Sequence, residues 1–332
     1  MKLLVTGGAG FIGSNFIRHV LAAHPDDTVV NFDKLTYAGN PANLADLASD
    51  TRYTFVKGDI CDADQVRDVA RGVDAVVNMA AESHVDRSIL DPDAFLRTGV
   101  QGVYTLLEAV RELRIPRFLH ISTDEVYGSI AEGSAAEDAP LAPTSPYSAA
   151  KAAGDLLVLA YVHTHGVPAL ITRSSNNFGP YQYPEKVIPL FVTNAIDDEA
   201  LPLYGDGRNV RDWLYVLDNC TAIDLVLRRG ATGEVYNIGG GHEVENVVLT
   251  REILKFTGKP ETLIRRVKDR PGHDRRYSVD ARKVRALGWA PRQPFAEALA
   301  ATVEWYRCHE AWWRPLKSGE FKAYYQQQYA GR

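Results

Sequence analysis

Thr6-Gly7-Gly8-Ala9-Gly10-Phe11-Ile12-Gly13 follows the apolar run Lys2-Leu3-Leu4-Val5 and opens a stretch of helical periodicity over 12–23. Gly7, Gly10 and Gly13 make a GxxGxxG turn between a strand and a helix. Such a turn lets backbone N–H groups approach a pyrophosphate at the positive end of the helix. The motif alone is weak evidence, because any tight strand-to-helix turn can contain one. A carboxylate further along the chain strengthens it: Asp33 ends the next strand, 20 residues beyond Gly13. An acid in that position accepts hydrogen bonds from a ribose 2′-hydroxyl and repels a 2′-phosphate. That favours NAD over NADP, and the neighbouring Lys34 softens the preference. Asp59 and Ile60 come after the third strand, where they either flank the adenine or begin a helix with Asp59 as its N-cap.

Outward from this turn the chain keeps alternating. Segments 2–6, 28–32, 54–57, 75–79, 117–122 and 169–173 read as short buried strands, and 12–23, 63–70, 95–113 and 146–165 carry helical spacing. The alternation predicts an α/β fold, a Rossmann-type doubly wound parallel sheet with helices on both faces. After Asn176 the pattern changes. Pro180, Pro184, Pro189 and Pro202, with Gly179, Gly205 and Gly207, predict long irregular connections. Beyond them come a strand at 235–238, helices near 249–257 and 295–308, and a polar loop at 268–276. We expect an NAD-binding domain over 1–175, joined by a returning segment near 210–240. A smaller C-terminal α/β substrate lobe would occupy most of 176–332.

Bulk properties narrow the class. The 332 residues are 45% hydrophobic and 24% charged, as in ordinary globular proteins. A net charge of −5 without a basic stripe argues against nucleic acid, and Arg265-Arg266 and Arg275-Arg276 read as phosphate contacts or solvated faces. No apolar run reaches the roughly 20 residues that span a bilayer, and the N-terminal one is too short for a signal peptide. Cys61, Cys220 and Cys308 are widely spaced and lack ligand-type spacing, so no metal is expected. The expectation is a cytoplasmic protein.

Two further stretches carry chemistry. Ser122-Thr123-Asp124-Glu125-Val126-Tyr127-Gly128 sets two adjacent carboxylates beside a hydroxyl at the end of a strand. Tyr147 and Lys151 lie four apart, on one helix face. A phenol with a pKa near 10 is a poor base at neutral pH, and lowering it by three units takes about 4 kcal/mol. The Lys151 ammonium and an oxidised nicotinamide ring are suitable sources. Hydride transfer needs no further acid or base, so Asp124 and Glu125 point beyond oxidation to an elimination. The competing reading is a solvated acidic turn, with Thr123 as an N-cap.

These residues resemble the extended short-chain dehydrogenase/reductase superfamily, and more narrowly the dTDP-glucose 4,6-dehydratases. The likeness runs through 6–13, 33–40, 80–88, 122–128, 147–151, 176–181, 184–186, 211–213 and 269–274, with Phe178 and Val187 as small departures. It implies a lyase that oxidises the sugar at C4, eliminates water across C5 and C6, and returns hydride to C6. In that scheme Tyr147 takes the 4-hydroxyl proton with Lys151 beside it, and Thr123 orients that hydroxyl. Glu125 removes the C5 proton and Asp124 protonates the departing C6 hydroxyl.

The resemblance also implies cofactor contacts from Leu35, Thr36, Ala80, Ala81, Ser83, Thr98 and Asn177, besides Phe11 and Ile12 of the glycine turn. On the sugar-nucleotide side it implies Ser83, His84, Asn176, Glu185 and Lys186, then Pro202, Leu203 and Tyr204 at the base. Arg211, Asn246, Asp269, Arg270 and His273 would complete that set. A homodimer through a four-helix interface is expected, its helices drawn from 95–113 and 147–164. The aromatic C-terminus (Trp305, Trp312, Trp313, Tyr324, Tyr325) is expected to pack onto the small lobe. Two other functions stay open on the residues alone: an NAD-dependent nucleotide-sugar 4-epimerase, and a non-catalytic nucleotide-binding regulator.

Overall fold

The computed structural model describes residues 1–329; the last three positions of the expected substrate lobe lie outside the described residues. Among the described residues twelve strands form. The first six are β1 (Lys2–Thr6), β2 (Thr28–Asp33), β3 (Tyr53–Lys57), β4 (Ala75–Asn78), β5 (Phe118–Thr123) and β6 (Ala169–Ser174). The second six are β7 (Asn176–Phe178), β8 (Leu201–Tyr204), β9 (Val210–Tyr215), β10 (Val235–Ile238), β11 (Glu243–Glu245) and β12 (Ile264–Val267). Seven of them make one parallel sheet in the order β10-β6-β5-β4-β1-β2-β3. The order reverses beside β1, and doubly wound sheets bind ligands at such a point, beyond the strands' carboxyl ends.

Because successive side chains point to opposite faces of a strand, each central strand feeds two cores. Leu3, Val5, Val77 and Leu119 pack with the helices Phe11–Ala23 and Val216–Arg229 on one face. Leu4, Val76 and Phe118 pack with Val103–Leu113 and Pro146–His165 on the other. Residues 216–238 thus belong physically to the sheet, through β10 pairing on β6 and the helix Val216–Arg229 against Phe11–Ala23. A third core gathers Phe178, Trp213, Leu249, Tyr306 and Trp313, with Trp305, Trp312 and Tyr325 packed against it. The C-terminal aromatics are therefore packing residues.

Two segments depart from their expected form. The stretch 95–113 is not one α-helix: a π-helical turn, Arg97–Gly102, separates Asp93–Leu96 from Val103–Leu113. Gly99 and Gly102 both fall in it and let it lie against Ala150 and Ile60. The region after Asn176 is more regular than its prolines suggest. Pro189 sits in the first turn of the helix Val187–Ile196, where backbone N–H groups have no intrahelical partner to lose. Pro202 lies in β8, which pairs only with β12 among the described residues, so a missing donor is tolerated.

Candidate active site

A cleft opens at the carboxyl edge of the sheet, lined in part by the glycine turn. Gly7 has φ +70°, and a Cβ there would stand 2.6 Å from the Ala80 backbone; one on Gly13 would stand 2.4 Å from the Gly7 carbonyl. Positions 7 and 13 are therefore closed to a side chain, and the first turn of Phe11–Ala23 faces the cleft, where helix N-termini receive anions. Gly7, Gly10, Phe11, Ile12 and Gly13 all line it. Asp33 closes one end. Its carboxylate accepts from Ala9 N at 2.9 Å and Leu35 N at 2.8 Å, which oppose the upward pull of burial on its pKa.

Lys34 does not stand free beside it. Its ammonium pairs with Asp59 at 2.8 Å across the cleft, so much of the charge that would attract a 2′-phosphate is already neutralised. Asp59 is not a helix N-cap; Asp62 caps Ala63–Ala70 instead, accepting from Asp64 N and Gln65 N. Thr36, Ile60, Ala80, Ala81, Ser83 and Thr98 also line the cavity, with Tyr147 and Lys151 at its other end. Leu35 and Asn177 are not among the lining residues. Leu35 adopts φ +58° and serves the turn through its N–H, whereas Asn177 donates to Ser175 O at 2.9 Å. Residues that sequence reasoning missed include Glu82, Ser122, Gln182 and Tyr183. Glu82 and Ser122 lie in stretches already singled out but without a role there, while Gln182 and Tyr183 reach the cleft through the fold.

At the inner end, β5 delivers Thr123 as the last strand residue. Its hydroxyl caps the adjoining 3-10 turn by accepting from Glu125 N at 3.2 Å, and also reaches Asp124 Oδ1 at 3.2 Å. The N-cap reading of Thr123 is thus true, and it leaves the hydroxyl within hydrogen-bonding reach of the Tyr147 phenol. Asp124 is buried and its Oδ2 has no partner among the described residues. Burial holds its carboxyl well above the usual range, and the charges of Glu125 and Asp212 push the same way. Burial leaves Glu125 raised too, although Arg270, Lys186 and Arg211 oppose the rise. Both carboxyls are therefore raised, Asp124 well above the usual range, while cations oppose the rise at Glu125.

Tyr147 behaves differently from the expectation. Burial and the Glu125 charge raise its phenol. Lys151 is itself pushed down to about 8 by burial, and its ammonium donates to the Ile121 carbonyl at 2.5 Å. The surrounding side chains thus raise the phenol rather than lower it.

The expected substrate residues form a second cluster, set against the first at Glu125 and Lys186. Ser83, Glu185 and Lys186 line the main cavity. Glu185 is saturated, taking Tyr37 OH at 2.6 Å and Arg87 Nε at 2.8 Å, and so is not a free polar contact. The Lys186 ammonium donates to Ser83 O. His84 is buried between Glu185 O and Tyr324 OH, each 3.3 Å away. Arg270 pairs with Asp86 at 2.9 Å, and the other Asp86 oxygen accepts from Tyr204 OH at 2.8 Å. His273 bonds Asp269 at 2.6 Å, and burial lowers it to about 4. Arg211 lies 4.2 Å over the Tyr277 ring, donating to Asp274 O at 3.0 Å.

Pro202 and Leu203 are buried in β8, with Leu203 in the third core, while the Tyr204 ring stacks on Tyr329 at 6.0 Å. Asn176 and Asn246 each keep a buried side-chain oxygen without a partner among the described residues.

A sequence model of the family described as GDP-mannose 4,6 dehydratase matches residues 4–302. The chain is 56% identical to a dTDP-glucose 4,6-dehydratase of Streptomyces niveus, over 96% of each chain. It is 48% identical to dTDP-glucose 4,6-dehydratase 1 of Escherichia coli strain K12, over the full length of both. Its fold matches the crystal structure of DesIV, a dTDP-glucose 4,6-dehydratase from Streptomyces venezuelae solved with NAD bound. The TM-score there is 0.94 at 55% identity, covering 96% of this chain and 100% of that one.

Proposed function

The chain belongs to the GDP-mannose 4,6 dehydratase family, and from that premise we propose that it dehydrates dTDP-glucose to its 4-keto-6-deoxy product with NAD as bound cofactor. The observation that carries this reading is the Asp124-Glu125 pair, with Asp124 buried and Glu125 half-buried, set beside Thr123 at the end of β5 near Tyr147. NAD bound in the cleft accepts hydride from C4 and returns it to C6, so none is consumed. Thr123 holds the 4-hydroxyl toward Tyr147, which takes its proton. The new 4-ketone acidifies the C5 hydrogen, and Glu125 removes it. Asp124, whose carboxyl burial raises well above the usual range, gives its proton to the leaving C6 hydroxyl. Arg211, Arg270 and Lys186 supply the cations that a diphosphate needs.

The cofactor half over 1–175, with the returning segment 210–240, and the mainly substrate-binding remainder are the working division of labour. Exposed Leu96, Tyr104 and Leu156 on the helices around 93–113 and 146–165 support a homodimer through those helices. Among the described residues no helix is long and apolar enough to cross a membrane. Three free cysteines and a nucleotide-sugar substrate fit the cytoplasm.

Incubating the purified protein with dTDP-glucose and UDP-glucose side by side, read by mass, tests the reaction. Loss of one water from the dTDP sugar without added NAD is expected. An unchanged mass with altered stereochemistry would instead make the protein an epimerase, and an inert, NAD-loaded protein would make it a regulator.

A further inference from the structure

Tyr37 has no role in the chemistry above, yet it is tightly held. It lies between Thr36 and Ala38, both of which line the cofactor cleft. The base of its loop is fixed, with Asn40 N donating to Ala9 O at 3.0 Å and Leu35 N to Asp33. At the tip, the Tyr37 hydroxyl reaches 148 residues along the chain to donate to Glu185 Oε1 at 2.6 Å. The other Glu185 oxygen takes Arg87 Nε at 2.8 Å, and the Glu185 side chain is 1% exposed. Arg87 in turn lies 4.0 Å over the Tyr37 ring and 4.2 Å over that of Tyr324. His84 and Lys186 bind this strap to the segment after β4. Residues 36–39 and 182–186 supply walls of the cleft that the sheet does not, and this contact ties them together.

We propose that Tyr37, Glu185 and Arg87 form a clasp that retains the dinucleotide between turnovers and within each one. The inference rests on the dehydratase reading, in which hydride taken from C4 must wait in the cleft until water has left. A cofactor that escaped in that interval would strand the dehydrated sugar without its hydride. The cleft therefore needs a closure independent of the glycine turn, and a hydrogen bond to a buried carboxylate is among the stronger ones available. Exchange of the cofactor requires the Tyr37–Glu185 bond to break and the loop to lift.

The test measures NAD release from the purified holoenzyme. Excess alcohol dehydrogenase and ethanol trap each released NAD⁺ as NADH, so no sugar is involved. Failure of the clasp is thereby separate from failure of the dehydratase reading. Tyr37→Phe should release NAD about 10- to 100-fold faster, the factor expected for losing one charge-assisted hydrogen bond. Glu185→Gln should release it faster as well. The double variant should release it more slowly than the product of the two single effects predicts, because both substitutions weaken the same bond. Release within about twofold of the native rate in both single variants would overturn the clasp. So would a lowered melting temperature with unchanged release, or strictly multiplicative effects in the double variant.

Discussion

The glycine turn and the cluster around Asp86, Glu185 and Arg270 build their sites in opposite ways. The turn is local: Gly7, Gly10 and Gly13 lie within seven residues, and their backbone shapes the cradle. The second cluster is made by pairs far apart in sequence, such as Asp86 with Arg270 and Arg87 with Glu185. A backbone site is preformed by sterics. A site of paired charges holds its groups against one another, and an incoming diphosphate has to compete for them. On the proposed function, the cofactor would meet a cradle shaped by backbone and the sugar nucleotide a set of paired side chains.

The largest effect should appear at the Asp124-Glu125 pair. Asp124→Asn is expected to slow elimination about a thousandfold, the usual range for losing a general acid, while C4 oxidation persists and reduced cofactor accumulates. Absorbance of bound NADH in single-turnover mixing reads both steps. Equal loss in both would erase the division between Asp124 and Glu125.

Next come substitutions that set the two regions apart. Asp86→Asn removes the partner of Arg270 and should cost about 3 kcal/mol in denaturant unfolding, as breaking a buried ion pair does. It should weaken sugar-nucleotide binding and leave NAD bound. Gly13→Ala should cost about 1–3 kcal/mol by overpacking and lose NAD first. If Asp86→Asn releases NAD as readily as Gly13→Ala does, the two regions are one cooperative unit and the contrast fails.

The smallest effect is with pH. Lys151 is depressed to about 8, so its charge is present below that pH and lost above it. Oxidation at C4 should fall by about tenfold between pH 7 and 9, and Lys151→Arg should keep the rate up. A rate that keeps climbing past pH 8 would show that Tyr147 ionisation governs the limb, with Lys151 serving only to position it.

Much of this was legible in the chain, for identifiable reasons. The inner strands of the sheet are apolar runs buried on both faces, so β1, β2, β4, β5 and β6 could be read from their residues. At 95–113 the spacing predicted one continuous helix, and nothing in it marked the π-helical turn at Arg97–Gly102. The prolines after Asn176 misled because edge strands and first helical turns tolerate them. At the site, the seven-residue turn, Asp33, Asp124-Glu125 and Tyr147/Lys151 were visible as residue types at fixed spacing. Glu82, Gln182 and Tyr183 were not, and neither was the engagement of Glu185 by Arg87 and Tyr37.

The sequence by itself determined which groups are present and which backbone can receive a dinucleotide, because glycine sterics and strand periodicity act over a few residues. Only the tertiary structure decided how those groups are charged and who holds them. Burial raises the Asp124 carboxyl well above the usual range. Lys34 is paired with Asp59 from the next strand end, and Tyr37 is tied to Glu185. Desolvation and long-range pairing depend on what folds over a residue, and no local stretch of chain records that.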